Sequence, residues 1–120
     1  MAGRDVHQIP DDWWQESGLN DFKPSRNGFR CDMPHELVRI SEIEPPLRDV
    51  GVTRDANGFR RNATMEILRG FLREESIPPI RVEVADPGPW RYRVRDGFHR
   101  YHSSLAAGFT HIPVEVVDRY

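Results

Sequence analysis

Residues 90–108, WRYRVRDGFHRYHSSLAAG, decide the fold of this chain. Large apolar residues alternate with arginines over residues 90–95, and this two-residue period predicts a half-buried β-strand. Gly97 then interrupts the pattern, and the apolar positions over residues 100–107 have the spacing of a short amphipathic helix. Gly108 stands where a glycine commonly ends a helix in the left-handed conformation. The stretch therefore predicts a strand, a glycine turn and a helix in direct succession.

The turn between this strand and this helix has the properties of an anion site. N–H groups in the first turn of a helix lack an intrahelical partner, and the helix dipole adds partial positive charge there. Phosphate commonly binds at such a place, and Gly97, His99 and Arg100 meet at it in this sequence. The pattern favours a bound nucleotide. It fits equally a plain junction in which Asp96 caps the helix and the His and Arg side chains face water.

Other periodic segments complete the domain. Residues 37–40 predict a first strand, and Asn62 is a candidate N-cap for an amphipathic helix over residues 62–74. Residues 80–84 alternate between apolar and charged side chains, which predicts a hairpin with the strand that follows. Residues 112–116 predict a last strand. The order β-loop-α-β-β-α-β predicts an α+β fold with a small mixed sheet and two main helices.

The N-terminal segment, residues 1–35, has no sustained period. It is predicted to be irregular and packed on a domain formed by residues 36–120. A pair of large aromatic residues, Trp13 and Trp14, stands in this otherwise polar segment. Such a pair either contacts a partner or folds onto the domain, and the free energy of burying two indole rings favours the second. The arginine-rich loop over residues 45–61 is the other candidate partner surface.

The composition restricts the classes of function. The 120 residues suit one domain, and the formal net charge of −2 lacks the basic excess of proteins that bind nucleic-acid backbone. The single cysteine, Cys31, excludes an intrachain disulfide. The sequence contains no signal-peptide apolar stretch and no apolar run of membrane-spanning length, so we expect a cytoplasmic protein. His99 and His102 lack a third ligand at a suitable spacing, so no metal site formed by protein ligands is expected.

Three short motifs share their order with one protein superfamily. They are Ser76-Ile77-Pro78-Pro79-Ile80, Asp96-Gly97-Phe98-His99-Arg100-Tyr101 and Ile112-Pro113-Val114. In this order and spacing they resemble the ParB/sulfiredoxin superfamily over about residues 36–118. The Pro-Pro-Ile connector and the Gly-x-His-Arg-Tyr run are similar to sulfiredoxin. The helix end Leu-Ala-Ala-Gly, followed by Ile-Pro-Val, is similar to the ParB N-terminal domain.

The resemblance implies a nucleotide site. In the superfamily a Gly-x-x-Arg turn holds nucleotide phosphates, with ATP used by sulfiredoxins and CTP by ParB proteins. The start of the first main helix and the loop before it also face the nucleotide. The implied phosphate-binding residues are Gly97, Phe98, His99, Arg100, Arg60, Arg61 and Thr64. The implied cofactor is a nucleoside triphosphate or diphosphate that carries Mg²⁺.

Two departures from the family pattern bear on activity. Sulfiredoxin has its catalytic cysteine where this chain has Phe98, so we expect no reduction of sulfinic acids. ParB proteins have a glutamate after the glycine, and its replacement here puts metal-assisted nucleotide hydrolysis in doubt. ParB proteins also continue into a helix-turn-helix domain, whereas this sequence ends at Tyr120, so we expect no sequence-specific DNA binding.

The leading hypothesis is therefore a nucleotide-binding ParB/sulfiredoxin-like domain. Hydrolysis or phosphotransfer stays open, because the sequence identifies no general base. One alternative is a non-catalytic adaptor that meets a protein partner through Trp13 and Trp14 or through the loop from Arg48 to Arg61. A further alternative is a DNA-processing or nuclease-like protein, against which the net charge argues.

Overall fold

The computed structural model describes residues 7–48 and 55–118. The helices in these ranges are α1 (Asp11–Ser17), α2 (Arg61–Arg73) and α3 (Phe98–Ala107). The strands are β1 (Glu36–Arg39), β2 (Ile43–Glu44), β3 (Ile80–Val84), β4 (Tyr92–Asp96) and β5 (His111–Val116). The predicted α+β class, with a small mixed sheet and two main helices, is confirmed. Within the described ranges, none of the helices has the length and apolarity that crossing a bilayer requires.

The five strands form one mixed sheet in the order β1-β5-β3-β4-β2. Strand β3 is central: it pairs antiparallel with β4 and parallel with β5. The hairpin register places Val82 opposite Val94 and Arg81 opposite Asp96, with an irregularity between Arg81 and Val82. The carboxyl end of β4 therefore lies beside the start of β3. This register brings the glycine turn after β4 against Ile80.

Apolar residues on one face of the sheet pack against α2 and α3. Ile80, Val82, Ile112 and Val114 of the sheet are fully buried, as is Leu68 of α2. Alternation in the strands and three-to-four-residue spacing in the helices place these side chains on facing surfaces.

Two leucines that helical spacing would place on the buried faces of α2 and α3 lie outside those faces. Leu72 and Leu105 are 48% and 52% exposed. The buried face of α2 runs through Met65, Leu68 and Phe71, and the buried face of α3 includes Phe98 and Tyr101. Leu72 follows Phe71 by one position, about 100° round the helix axis, where the surface of α2 has turned toward solvent. Leu105 lies in the last turn of α3.

The N-terminal segment contains a helix, so the prediction that it is irregular is wrong for Asp11–Ser17. Pro10 precedes the helix, Asp11 and Asp12 suit the positive end of its dipole, and Gly18 ends it with a φ of 89°. The first of the two tryptophans, Trp13, is buried in a second apolar cluster beside the main core. The members of this cluster are Trp13, Phe59, Met65 and Phe98. Trp13 is thus packed on the fold and is not exposed for a protein partner.

Candidate functional site

The turn after β4 has a backbone conformation and a close contact that favour glycine. Gly97 has a φ of 134° and a ψ of 28°, and α3 begins directly after it at Phe98. A Cβ atom on Gly97 would lie 2.5 Å from Cγ2 and 2.7 Å from Cβ of Ile80. The alternative in which Asp96 caps the helix does not hold: Gly97 is the N-cap residue, and the Asp96 carboxylate instead lies 3.5 Å from Arg100 Nη2.

The N-terminal ends of α2 and α3 meet at this turn. The backbone N–H of Arg60, the residue before α2, donates to Nε2 of His99 over 2.9 Å. The Thr64 hydroxyl donates to the Arg60 carbonyl oxygen over 2.9 Å, so both backbone polar groups of Arg60 are held by site residues. Because Nε2 accepts a hydrogen bond, the His99 ring is neutral in this arrangement. Three of the predicted site residues are therefore joined in one hydrogen-bonded chain.

Two helix dipoles present their positive ends at this junction. The Arg60 side chain beside it is exposed. The carboxylate of Asp55 accepts the backbone N–H of Arg61, so an internal anion already binds the first turn of α2. The predicted cap, Asn62, lies inside the first turn instead, and its side chain does not cap the helix. An internal carboxylate at a helix start is direct support for the anion preference of that position.

Phe98 and Arg61 are placed for other contacts. Phe98 is buried, and its ring packs on Phe59 with a centroid distance of 5.3 Å. The sequence predicted that Phe98 binds phosphate, and only its backbone N–H, in the first turn of α3, is placed for such a contact. The Arg61 guanidinium forms an ion pair with Glu16 of α1. Both residues therefore connect the site to the N-terminal segment.

Arg100 is directed away from the His99–Arg60 junction. Its Nη1 donates to the carbonyl oxygens of Pro78 (3.1 Å) and Pro79 (2.8 Å), and its side chain is only 19% exposed. Burial lowers the pKa of the guanidinium, and the Asp96 carboxylate opposes that shift. Arg100 lines a surface cavity of about 550 Å³ whose wall includes the Pro-Pro connector and Glu66 of α2. The geometry gives Arg100 the role of anchoring that connector to α3.

Replacing Arg100 by alanine is expected to lower the free energy of unfolding by about 2 kcal/mol, because two shielded carbonyl oxygens lose their donor. Urea unfolding of the wild type and of Arg100→Ala measures this change. Arg91→Ala is the control, since Arg91 forms an exposed ion pair with Glu42 and its loss is expected to change stability by less than about 1 kcal/mol. Equal midpoints for Arg100→Ala and the wild type would contradict the anchoring role.

Two further histidines surround Phe98 together with His99: His7, which the sequence did not single out, and His102, which it indicated only as a possible metal ligand. The ring centroids of His7 and His102 lie 4.8 and 4.7 Å from that of Phe98. His102 donates from Nε2 to the Pro46 carbonyl oxygen over 2.8 Å, and burial lowers its pKa to about 4. The partners of both histidines lie more than 40 positions away in the chain, so no local pattern could have identified them.

No protein-family model, curated protein or solved structure matches this chain. The site is therefore defined by its own geometry: a glycine turn, two converging helix starts and the residues that hold them together.

Proposed function

We propose that this chain is a ParB/sulfiredoxin-like domain that binds the phosphates of a nucleoside triphosphate or diphosphate where α2 and α3 begin. The observation that carries the proposal is the 2.9 Å hydrogen bond from the Arg60 N–H to His99 Nε2. It holds the positive ends of two helix dipoles together beside an exposed arginine side chain. The oligophosphate of a nucleotide has the charge and the acceptor oxygens to use several such groups at once.

The backbone carries most of the binding in this proposal. N–H groups of the first turn of α3, behind Gly97, donate to phosphate oxygens, and the Arg60 guanidinium adds a charge-assisted hydrogen bond. His99 and Thr64 position the Arg60 backbone through its N–H and its carbonyl oxygen. Their role is to keep the two helix starts together, while the first-turn N–H groups of α3 and the Arg60 guanidinium contact the phosphate.

The proposal is one of binding. Any Mg²⁺ would be carried by the nucleotide, because no three His, Cys, Asp or Glu side chains in residues 7–48 and 55–118 are placed to hold a metal ion. The carboxylate nearest in sequence to the turn, Asp96, is 69% exposed and paired with Arg100. It is thus not directed at the junction as a general base would be.

Replacing Arg60 by alanine is expected to weaken nucleotide binding about tenfold, the loss of about 1.4 kcal/mol from one partly screened charge-assisted contact. The Arg60 side chain has no other role in the described fold, so stability should be unchanged within about 0.5 kcal/mol. The measurement is calorimetric titration of ATP, CTP, their diphosphates and inorganic phosphate, with and without Mg²⁺.

Arg69→Ala is the matched control, because Arg69 is also exposed and lies two helical turns further along α2. It removes the same charge from the protein but leaves the helix start intact. Equal weakening by Arg60→Ala and Arg69→Ala would indicate a non-specific charge effect. Absence of binding by all of these nucleotides would sink the proposed function.

A further inference from the structure

His7 joins three separate parts of the chain. Its Nδ1 donates to the Asn57 carbonyl oxygen over 2.8 Å, and its Nε2 accepts the backbone N–H of Arg48 over 3.0 Å. A neighbouring contact runs parallel to these bonds: the Asn57 side-chain amide donates to the Gln8 carbonyl oxygen over 2.8 Å. The ring is buried. These hydrogen bonds attach the N-terminal segment to Arg48, which follows β2, and to Asn57, in the turn before α2.

This attachment requires a neutral imidazole. A ring nitrogen that accepts a backbone N–H carries no proton, and protonation would replace the acceptor with a second donor. The Asn57 carbonyl oxygen fixes the tautomer, because it is an acceptor and must face the ring N–H. The Arg48 bond is therefore available only while His7 is uncharged.

The groups around His7 would repel a charge on its ring. The ring centroids of His7 and His102 of α3 lie 5.1 Å apart. His99 of the same helix packs on Phe98, which is also a neighbour of His7. The Arg48 guanidinium lies 4.4 Å from the centroid of the Phe98 ring. In the described part of the chain, no carboxylate forms an ion pair with His7. Among the described residues, a protonated His7 would thus face the Arg48 guanidinium, two further imidazoles and the apolar ring of Phe98.

We propose that His7 is a pH-sensitive clasp that holds the N-terminal segment on the domain in its neutral form and releases it when protonated. Release removes the cover that this segment, with Trp13, places over Phe98. The clasp needs no ligand, so it stands independently of the proposed nucleotide site, although His7 and His99 both contact the Phe98 ring.

Amide hydrogen exchange of the whole chain, without nucleotide and in a His102→Gln background, tests the clasp, because proton uptake by His102 in the unfolded chain would otherwise lower global stability over the same pH range. Protection factors, which remove the intrinsic pH dependence of exchange, are compared at about pH 7.5 and about pH 5.5. We expect protection of the Arg48 and Leu19 N–H groups to fall at least about tenfold. Leu19 reports on the segment because its N–H donates to the Trp14 carbonyl oxygen. The Val117 N–H, bonded to Val82 in the sheet, should change much less.

His7→Gln is the matched variant, because a glutamine amide offers one acceptor and one donor and never takes up a proton. Its Arg48 and Leu19 protection should be independent of pH in this range. A pH-dependent loss that persists in His7→Gln overturns the proposal, and so does an equal loss at Val117, which would indicate global unfolding. If the glutamine fails to hold the segment at either pH, the ring resonances of His7 decide: their titration midpoint must coincide with the loss of protection in the His102→Gln background.

Discussion

Replacing Gly97 by alanine is expected to cost about 4 kcal/mol of folding free energy. The backbone of Gly97 has a φ of 134°, a region that residues with a Cβ rarely enter, which costs about 1–3 kcal/mol. The added Cβ would lie 2.5 Å from Ile80 Cγ2, and Ile80 is fully buried in the sheet. Overpacking of such a site adds about 1–3 kcal/mol. Chemical unfolding, followed by far-ultraviolet circular dichroism, measures the sum.

Two companion variants separate the causes. Gly88→Ala is the control, because a Cβ on Gly88 would meet only the Asp86 carbonyl oxygen at 3.8 Å. In an Ile80→Ala background, the cost of Gly97→Ala should fall, because the Cγ2 contact is gone, but the backbone strain should remain. A Gly97→Ala protein as stable as the wild type would show that the turn can relax. The glycine would then be required for phosphate binding at the turn and not for the stability of the fold.

This reason for the glycine differs from the one that the sequence suggested, and the difference shows what pattern alone can predict. Strand–turn–helix was predictable at residues 90–108, because alternation, a glycine and helical spacing are local properties. Strand β3 was predicted with its observed bounds for the same reason. The contact between Gly97 and Ile80 depends on how β4 pairs with β3, which no local pattern contains.

The same limit explains the side-chain contacts that the sequence did not predict. An arginine at a helix start favours phosphate on average, but the Pro78 and Pro79 carbonyl oxygens compete for Arg100 across the sheet. Phe98 follows the glycine in sequence, yet its ring is buried among Trp13, Phe59 and Met65, which come from two other segments. The helix Asp11–Ser17 was missed because it is only two turns long, too short for a period to appear. Its proline and paired aspartates were the available signals.

Acidification is expected to destabilise the fold through His102 by about 3 kcal/mol in total. Burial, reinforced by the nearby His7, lowers the pKa of His102 to about 4 from an ordinary 6.5, and the hydrogen bond to Pro46 opposes the shift. Above pH 6.5 the His102 ring is neutral in both the folded and the unfolded chain, so the full stability is present. As the pH falls from about 6.5 toward about 4, only the unfolded chain binds the proton. The free energy of unfolding therefore decreases by up to about 1.4 kcal/mol per pH unit.

Urea unfolding at about pH 7, 6 and 5 measures this slope, and His102→Gln is the variant that removes it. The glutamine amide can still donate to the Pro46 carbonyl oxygen, but it does not titrate. The range is chosen to lie above the carboxylate window: hydrogen bonds from Arg93 and Arg95 lower the pKa of Glu83 below its ordinary 4.5, so its stabilisation is lost only at still lower pH. Identical slopes for the wild type and His102→Gln would show that the ring reaches water in the folded state. A shallower slope in the variant instead places this part of the acid sensitivity of the fold at His102.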